Sequence, residues 1–161
     1  MKAGLLLAIL LTGGCGWPEA AAGGAVVATG RPAAVRAAIE ALALRADELR
    51  VDSLGAGAMP AFAGIVAGPA ADLLRRNRLR GQHLQAQLEI AVDTRRVVHW
   101  ATAADTATAV VATSGRRRLL SAAAVSAWDN FADQWQYTAR WSGGWRVFWA
   151  IELPPGQWWP A

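Results

Sequence analysis

The sequence predicts an α+β fold in which N-terminal helices pack on a curved antiparallel sheet that ends in a Trp-rich hairpin. Three observations predict it. Apolar residues recur at steps of four and three from Val35 to Leu49. From His83 onward the texture turns to short runs rich in Val, Thr and aromatic residues, with turn residues between them. Finally, "QYTARWSGGWRVFWAIEL", residues 136–153, reads as two strands about a glycine loop. Helices come first and strands follow; nothing alternates strand with helix as a parallel sheet demands.

With 161 residues, 54% of them apolar, the chain can bury one ordinary core, so a single domain is expected once a targeting segment is set aside. "MKAGLLLAILLTGGCGW" has a cation at Lys2, an apolar run from Ala3 to Leu11 and small residues before Cys15, the pattern of a secretory signal. The run is shorter than the roughly 20 residues of a stable membrane span. Cys15 after Gly13 and Gly14 resembles the lipobox of bacterial lipoproteins, whose cysteine is diacylated and becomes the mature N-terminus. Thr12 stands where that pattern usually has Leu. The resemblance implies a signal peptide at 1–14, a lipidated flexible tether at 15–30 and one folded domain at 31–161, extracytoplasmic and anchored to the cell membrane through Cys15. The other reading is ordinary cleavage near Ala22, which releases a soluble secreted protein. A lone cysteine supports no disulfide, metal site or redox pair.

The first helix starts near Arg31, with Pro32 in its first turn. Val35, Ile39, Leu42, Ala46 and Leu49 share one face, and Arg36, Glu40, Asp47 and Arg50 fall largely off it. "GAGAMPAFAGIVAGP" interrupts the pattern with a short helix or turn around Phe62 to Val66. A second helix is expected from Ala70 to Leu79, with Leu73, Leu74 and Leu79 inward and Arg75, Arg76, Arg78 and Arg80 as a solvated surface. "LQAQLEIAVD", "VVHWATA", "TATAVVAT" and "RRRLLSA" then read as separate short strands in a meander of about four to six.

In the hairpin, a three-residue loop of Ser142, Gly143 and Gly144, with Gly144 left-handed, pairs Trp141 with Trp145, Ala139 with Val147, Tyr137 with Trp149 and Trp135 with Ile151. Side chains alternate along a strand, so Trp135, Tyr137, Trp141, Trp145 and Trp149 share a face. Each ring can bury about 150–250 Å². That face is therefore either filled core or the wall of a partly open aromatic pocket. Arg140 falls opposite Arg146 on the other face, an unfavourable pairing unless an anion lies nearby.

Helices followed by a curved sheet, with Tyr137 on one strand and "GGWRV", residues 143–147, on the next, resemble the nuclear-transport-factor-2-like superfamily. They also resemble the secreted actinobacterial lipoproteins that carry such a domain. The resemblance implies a cone-like α+β fold, one that hosts isomerases, hydrolases and dehydratases as well as non-catalytic binding domains. The tail "LPPGQWWPA" leaves the sheet at Pro154 and Pro155 and carries Trp158 and Trp159 to the domain's own core, to a membrane interface or to a partner.

Motif-bearing chemistry is absent from the sequence: no His/Cys metal spacing, no G-x-S-x-G elbow, no phosphate loop and no dinucleotide fingerprint occurs. No cofactor is expected. His99 and Trp100 point to opposite faces of a strand; if His99 faces the interior, Asp129, Asp133 or Tyr137 is a candidate proton partner. The basic balance, +4 formally, suits anionic lipid or cell-wall polymer at Arg116, Arg117 and Arg118 better than nucleic acid in an exported protein. The reading is a non-catalytic envelope lipoprotein that binds a protein partner or a lipidic or small apolar ligand. The alternative is a small cofactor-free enzyme of isomerase or hydrolase type using His99 with an Asp.

Overall fold

The computed structural model describes residues 32–55, 58 and 61–160; Cys15, the signal segment 1–14 and the tether 15–30 lie outside the described residues. Two helices, α1 (Pro32–Leu54) and α2 (Gly68–Leu84), precede four strands, β1 (Ala86–Ala103), β2 (Thr106–Ser121), β3 (Asp129–Trp141) and β4 (Trp145–Glu152). The strands form one curved, unclosed antiparallel sheet in chain order, with the helices packed on one face. This is the α+β plan that the order of periodicities predicts.

Helix α1 begins at Pro32, where the missing N–H costs nothing. It buries Ile39, Ala43, Ala46 and Leu49 against Ala107, Ala109, Val111, Tyr137, Ala139 and Val147 of the sheet. Fully burying one such aliphatic side chain contributes about 1.5–3 kcal/mol. The expected apolar face is present, but Asp47 and Arg50, placed off it by the sequence reading, are buried as well. Helix α2 outruns its expected 70–79 span at both ends and stops where Gln85 turns left-handed at φ 48°. Leu74 is buried as expected, but Leu79 is exposed, because, five residues on, it lies about 140° round the helix from the buried face.

The strand runs that read as separate join into two long strands. β1 passes through irregularities at Asp93 and Val98, and β2 continues unbroken through Ser114 and Gly115. A bulge absorbs one residue and bends the strand, which wraps the sheet around the helices. Gly115 permits the bend: a Cβ there would lie 2.1 Å from the Ala91 carbonyl oxygen. The sequence predicts turns between these runs, at Thr94 to Arg96 and Ser114 to Gly115, but those residues lie within strands.

The hairpin needs a correction too. Trp141 pairs with Trp145 and Ala139 with Val147 as expected, but β4 then carries one extra residue, so Thr138 faces Trp149, Tyr137 faces Ala150, and Trp135 faces Glu152. Phe148 is the extra residue. Its ring packs on Gly68 at the start of α2, 2.7 Å from where a Cβ would stand, while Val147 is held on its outer edge by hydrogen bonds with Ile65 and Ala67. That double hold on β4 forces the bulge and turns Trp149 to the face away from the helices, where it is 43% exposed. The loop is Ser142 to Gly144, with the positive φ at Gly143 (75°) rather than at Gly144.

Candidate functional site

Parity places Arg95 on β1, Thr113 on β2, and Asp133, Trp135 and Tyr137 on β3 toward the helices. On α1, Ala43, Asp47, Arg50 and Leu54 form a stripe at i, i+4, i+7 and i+11 beside the apolar face, and it meets those strand residues. Asp47 is 0% exposed and Arg50 4%. The Asp47 carboxylate accepts from four sides: Oδ1 from Tyr137 OH at 2.6 Å and Arg50 Nε at 2.9 Å, Oδ2 from Thr113 Oγ1 and Arg95 Nε, each at 2.8 Å. Arg50 also donates to Tyr137 OH at 3.2 Å and to Asp133 Oδ1 at 3.4 Å, and its guanidinium lies 4.5 Å over the Trp135 ring.

The electrostatics follow from burial and pairing. Burial pushes the Asp47 carboxyl up, but Arg50 and the hydrogen bonds from Tyr137 and Thr113 outweigh it and hold Asp47 below the ordinary carboxylate range. Burial opposes the Arg50 charge, yet the facing Tyr137, Asp47 and Asp133 raise its pKa. Tyr137 is pushed well above its usual value, first by burial and then by the Asp47 charge. Asp133 is raised by burial, with Arg50 pulling it down and Asp47 and Glu152 adding to the rise. The center is thus a saturated ion pair that stays charged at neutral pH.

Above this cluster the helix ends and the sheet diverge. A cleft of about 260 Å³ opens there, with Arg50, Asp133, Trp135 and Glu152 at one end and Leu54, Leu88, Ile90 and Phe131 along it. A second hollow of about 330 Å³ shares Leu54, Asn77 and Leu88 with the first and runs on past Leu84, Leu119 and Arg80. Together they make a groove with largely aliphatic walls, with Arg50, Asp133 and Glu152 at its deep end and Arg117 beside Phe131.

The aromatic residues expected to share one wall are dispersed. Trp135 lines the cleft, Tyr137 is buried in the ion-pair cluster, Trp141 and Trp145 stand at the hairpin tip, and Trp149 is on the opposite face. His99 lies on that opposite face too, stacked on Trp159 with ring centroids 3.7 Å apart and planes 4° apart. Trp159 is in turn bonded through its backbone to both ends of the buried Gln134 amide, so the tail straps the outer side of the sheet. His99 and Asp133 are therefore separated by the sheet and cannot share a proton. Asp129 shares the face of Asp133 but stands four residues further along β3, roughly 13 Å away.

The three arginines of the expected anionic contact are split by the same alternation. Arg116 and Arg118 flank Trp128 at 5.8 and 4.7 Å, Arg117 lies over Phe131 at 5.7 Å, and Arg118 is bonded to Glu89. Among the described residues, no three His, Cys, Asp or Glu side chains gather as a metal site. Sequence reasoning missed Asp47, Arg50, Arg95 and Thr113. The signal that could have found the first two is the i, i+3 pairing of opposite charges beside an apolar helical face.

Fold and site together define a two-helix, four-stranded α+β domain with an internal ion-pair cluster beneath an open groove. No family model matches the chain, and no curated protein matches its sequence. Among solved structures it is similar to the crystal structure of the intermembrane space region of the chloroplast protein ARC6. The TM-score is 0.59 at 12% identity, covering 70% of this chain and 92% of that chain. A likeness at that identity establishes a shared fold and nothing further.

Proposed function

We propose that the chain is an extracytoplasmic lipoprotein, anchored through Cys15, whose nuclear-transport-factor-2-like domain binds a lipidic or small apolar ligand without catalysing a reaction. The observation that carries this reading is the groove between the helix ends and the sheet, lined by Leu54, Leu84, Leu88, Ile90, Leu119 and Phe131. An apolar hollow with a few polar groups at one end is the usual form of a small-molecule site. Asp47, beneath the groove, is bonded from four sides, which suits a rigid floor better than proton transfer. The enzyme reading with His99 and an Asp lacks its pair, because the two lie on opposite faces of the sheet.

The test is binding of cis-parinaric acid, a fluorescent fatty acid, to the purified chain. Saturable one-to-one binding is expected, weakened at least tenfold by Leu88→Trp, which fills the part of the groove that both hollows share. Unsaturable binding, or a Leu88→Trp variant that is folded and binds as the native chain does, would overturn the reading.

A further inference from the structure

The end of the domain opposite the groove carries a different chemistry. At the β3–β4 hairpin tip, Arg140 and Arg146 face each other across the strands, both exposed, and neither forms a salt bridge among the described residues. Like charges directly opposite each other weaken a hairpin. Arg140 is supported 5.0 Å from the Phe148 ring, and Arg146 reaches only the Ser142 hydroxyl at 3.5 Å. Asp105, on the adjoining β1–β2 turn, pairs with neither; its backbone carbonyl accepts from Trp141 N–H at 2.9 Å.

Two exposed indoles flank these cations. Trp141, 42% exposed, is on the opposite face of the tip, edge-on at 5.6 Å to Trp145, which is itself half-buried against the core; Trp149, 43% exposed, is turned by the β4 bulge to the arginines' own face. Indoles with one apolar and one polar edge favour the headgroup level of a bilayer, and paired guanidiniums bind phosphate.

The path of the chain supplies an independent reason. Arg36, in the first turns of α1, lies 5.1 Å over the Trp100 ring, close to the β1–β2 turn, while Leu54 at the other end of α1 lines the groove. The preceding residues thus join the domain at the hairpin-tip end. The tether that the sequence leads one to expect between Cys15 and Pro32, taken as a Gly-rich coil, has a root-mean-square reach of roughly 20–25 Å. A lipid on Cys15 would hold the tip near the bilayer, and an acyl anchor with a basic patch gives the two signals that stable attachment needs.

We propose that the β3–β4 hairpin tip docks on an anionic lipid bilayer, with the exposed Trp141 and Trp149 at headgroup depth and Arg140 and Arg146 on lipid phosphates. The groove then faces away from the membrane. The orientation rests on the anchored reading above; the affinity of the tip rests on its own residues.

The test uses the full chain carrying Cys15→Ser, so that an introduced cysteine is the only thiol. A nitrobenzoxadiazole label is placed at Gly144→Cys, where a side chain meets open space, or at Leu84→Cys, exposed at the groove end. Both proteins share one N-terminus, which joins the domain at the tip end and could bring the tip label close by itself; the arginine changes, which leave that segment untouched, separate the tip's own affinity from it. With phosphatidylglycerol vesicles containing doxyl-lipid quencher, the tip label is expected to be quenched and the groove-end label unmoved. Adding Arg140→Gln and Arg146→Gln should weaken the tip response roughly tenfold or more at low salt. A silent tip label, equal quenching at both sites, or indifference to the arginine changes overturns the proposal. Because this protein lacks the acylated cysteine, absence of fatty acid on native Cys15 would sink the anchored reading without altering the readout.

Discussion

Asp47→Asn is the most informative perturbation of the interior. In the folded protein the carboxylate is fully buried and serves two guanidiniums and two hydroxyls. The amide keeps the volume but removes the charge, leaving Arg50, itself buried, with only the more distant Asp133. Breaking a buried pair from one side costs about 3–5 kcal/mol, and each hydroxyl bond weakened adds about 1 kcal/mol at most. Domains of this size are stable by about 5–15 kcal/mol, so the variant should lose about a fifth or more of its stability. The melting temperature should fall by roughly 10–20 °C. The assay is urea unfolding followed by circular dichroism, with the m-value unchanged if the native surface is intact.

The pH dependence provides a second reading of the same group. Asp47 is depressed in the fold, so its contribution is present above the unfolded carboxylate value of about 3.9 and is lost as pH falls through the lower folded value. The difference between native and variant stability should therefore be full at pH 7 and shrink in strong acid. A double change, Asp47→Leu with Arg50→Met, should recover much of the loss, since apolar packing commonly replaces a buried pair at little cost. An Asp47→Asn protein within about 1 kcal/mol of the native one, or a difference that persists unchanged in strong acid, would refute this account of the cluster.

Two further outcomes follow from single residues. Tyr137 is the chain's only tyrosine, so phenolate absorbance at alkaline pH reports it alone; because its folded pKa is raised, its contribution is present below about pH 10 and is lost as pH rises further. Phenolate should form only together with loss of the circular dichroism signal, and titration near pH 10 in a still-folded protein would contradict the burial of its hydroxyl. Gly115→Ala should destabilise by about 1–3 kcal/mol or more, since its Cβ would press on the Ala91 carbonyl oxygen; an unchanged urea midpoint would show that β1 can move aside.

The amino-acid sequence by itself determined the layers of this protein. The spacing of Val35, Ile39, Leu42, Ala46 and Leu49 requires a helix, and the Val- and Thr-rich runs with the Ser-Gly-Gly loop require strands and a hairpin, because those periodicities are local. The pairing of Trp141 with Trp145 was legible for the same reason: loop length fixes register close to the turn. Four residues further on, register was no longer local. The packing of Phe148 on Gly68 and the edge bonds from Ile65 and Ala67 inserted a bulge, and one extra residue reversed the face of Trp149.

Only tertiary structure brought Asp47 and Arg50 to Arg95, Thr113, Asp133 and Tyr137, which lie 45 or more positions later in the chain. On the helix alone, a charged pair three residues apart is indistinguishable from a solvated one. Likewise, alternation told that His99 and Trp100 point apart, but not which of them meets the helices. That choice fell to the bulge at Val98 and the tail that stacks Trp159 on His99, contacts between segments that no local pattern encodes.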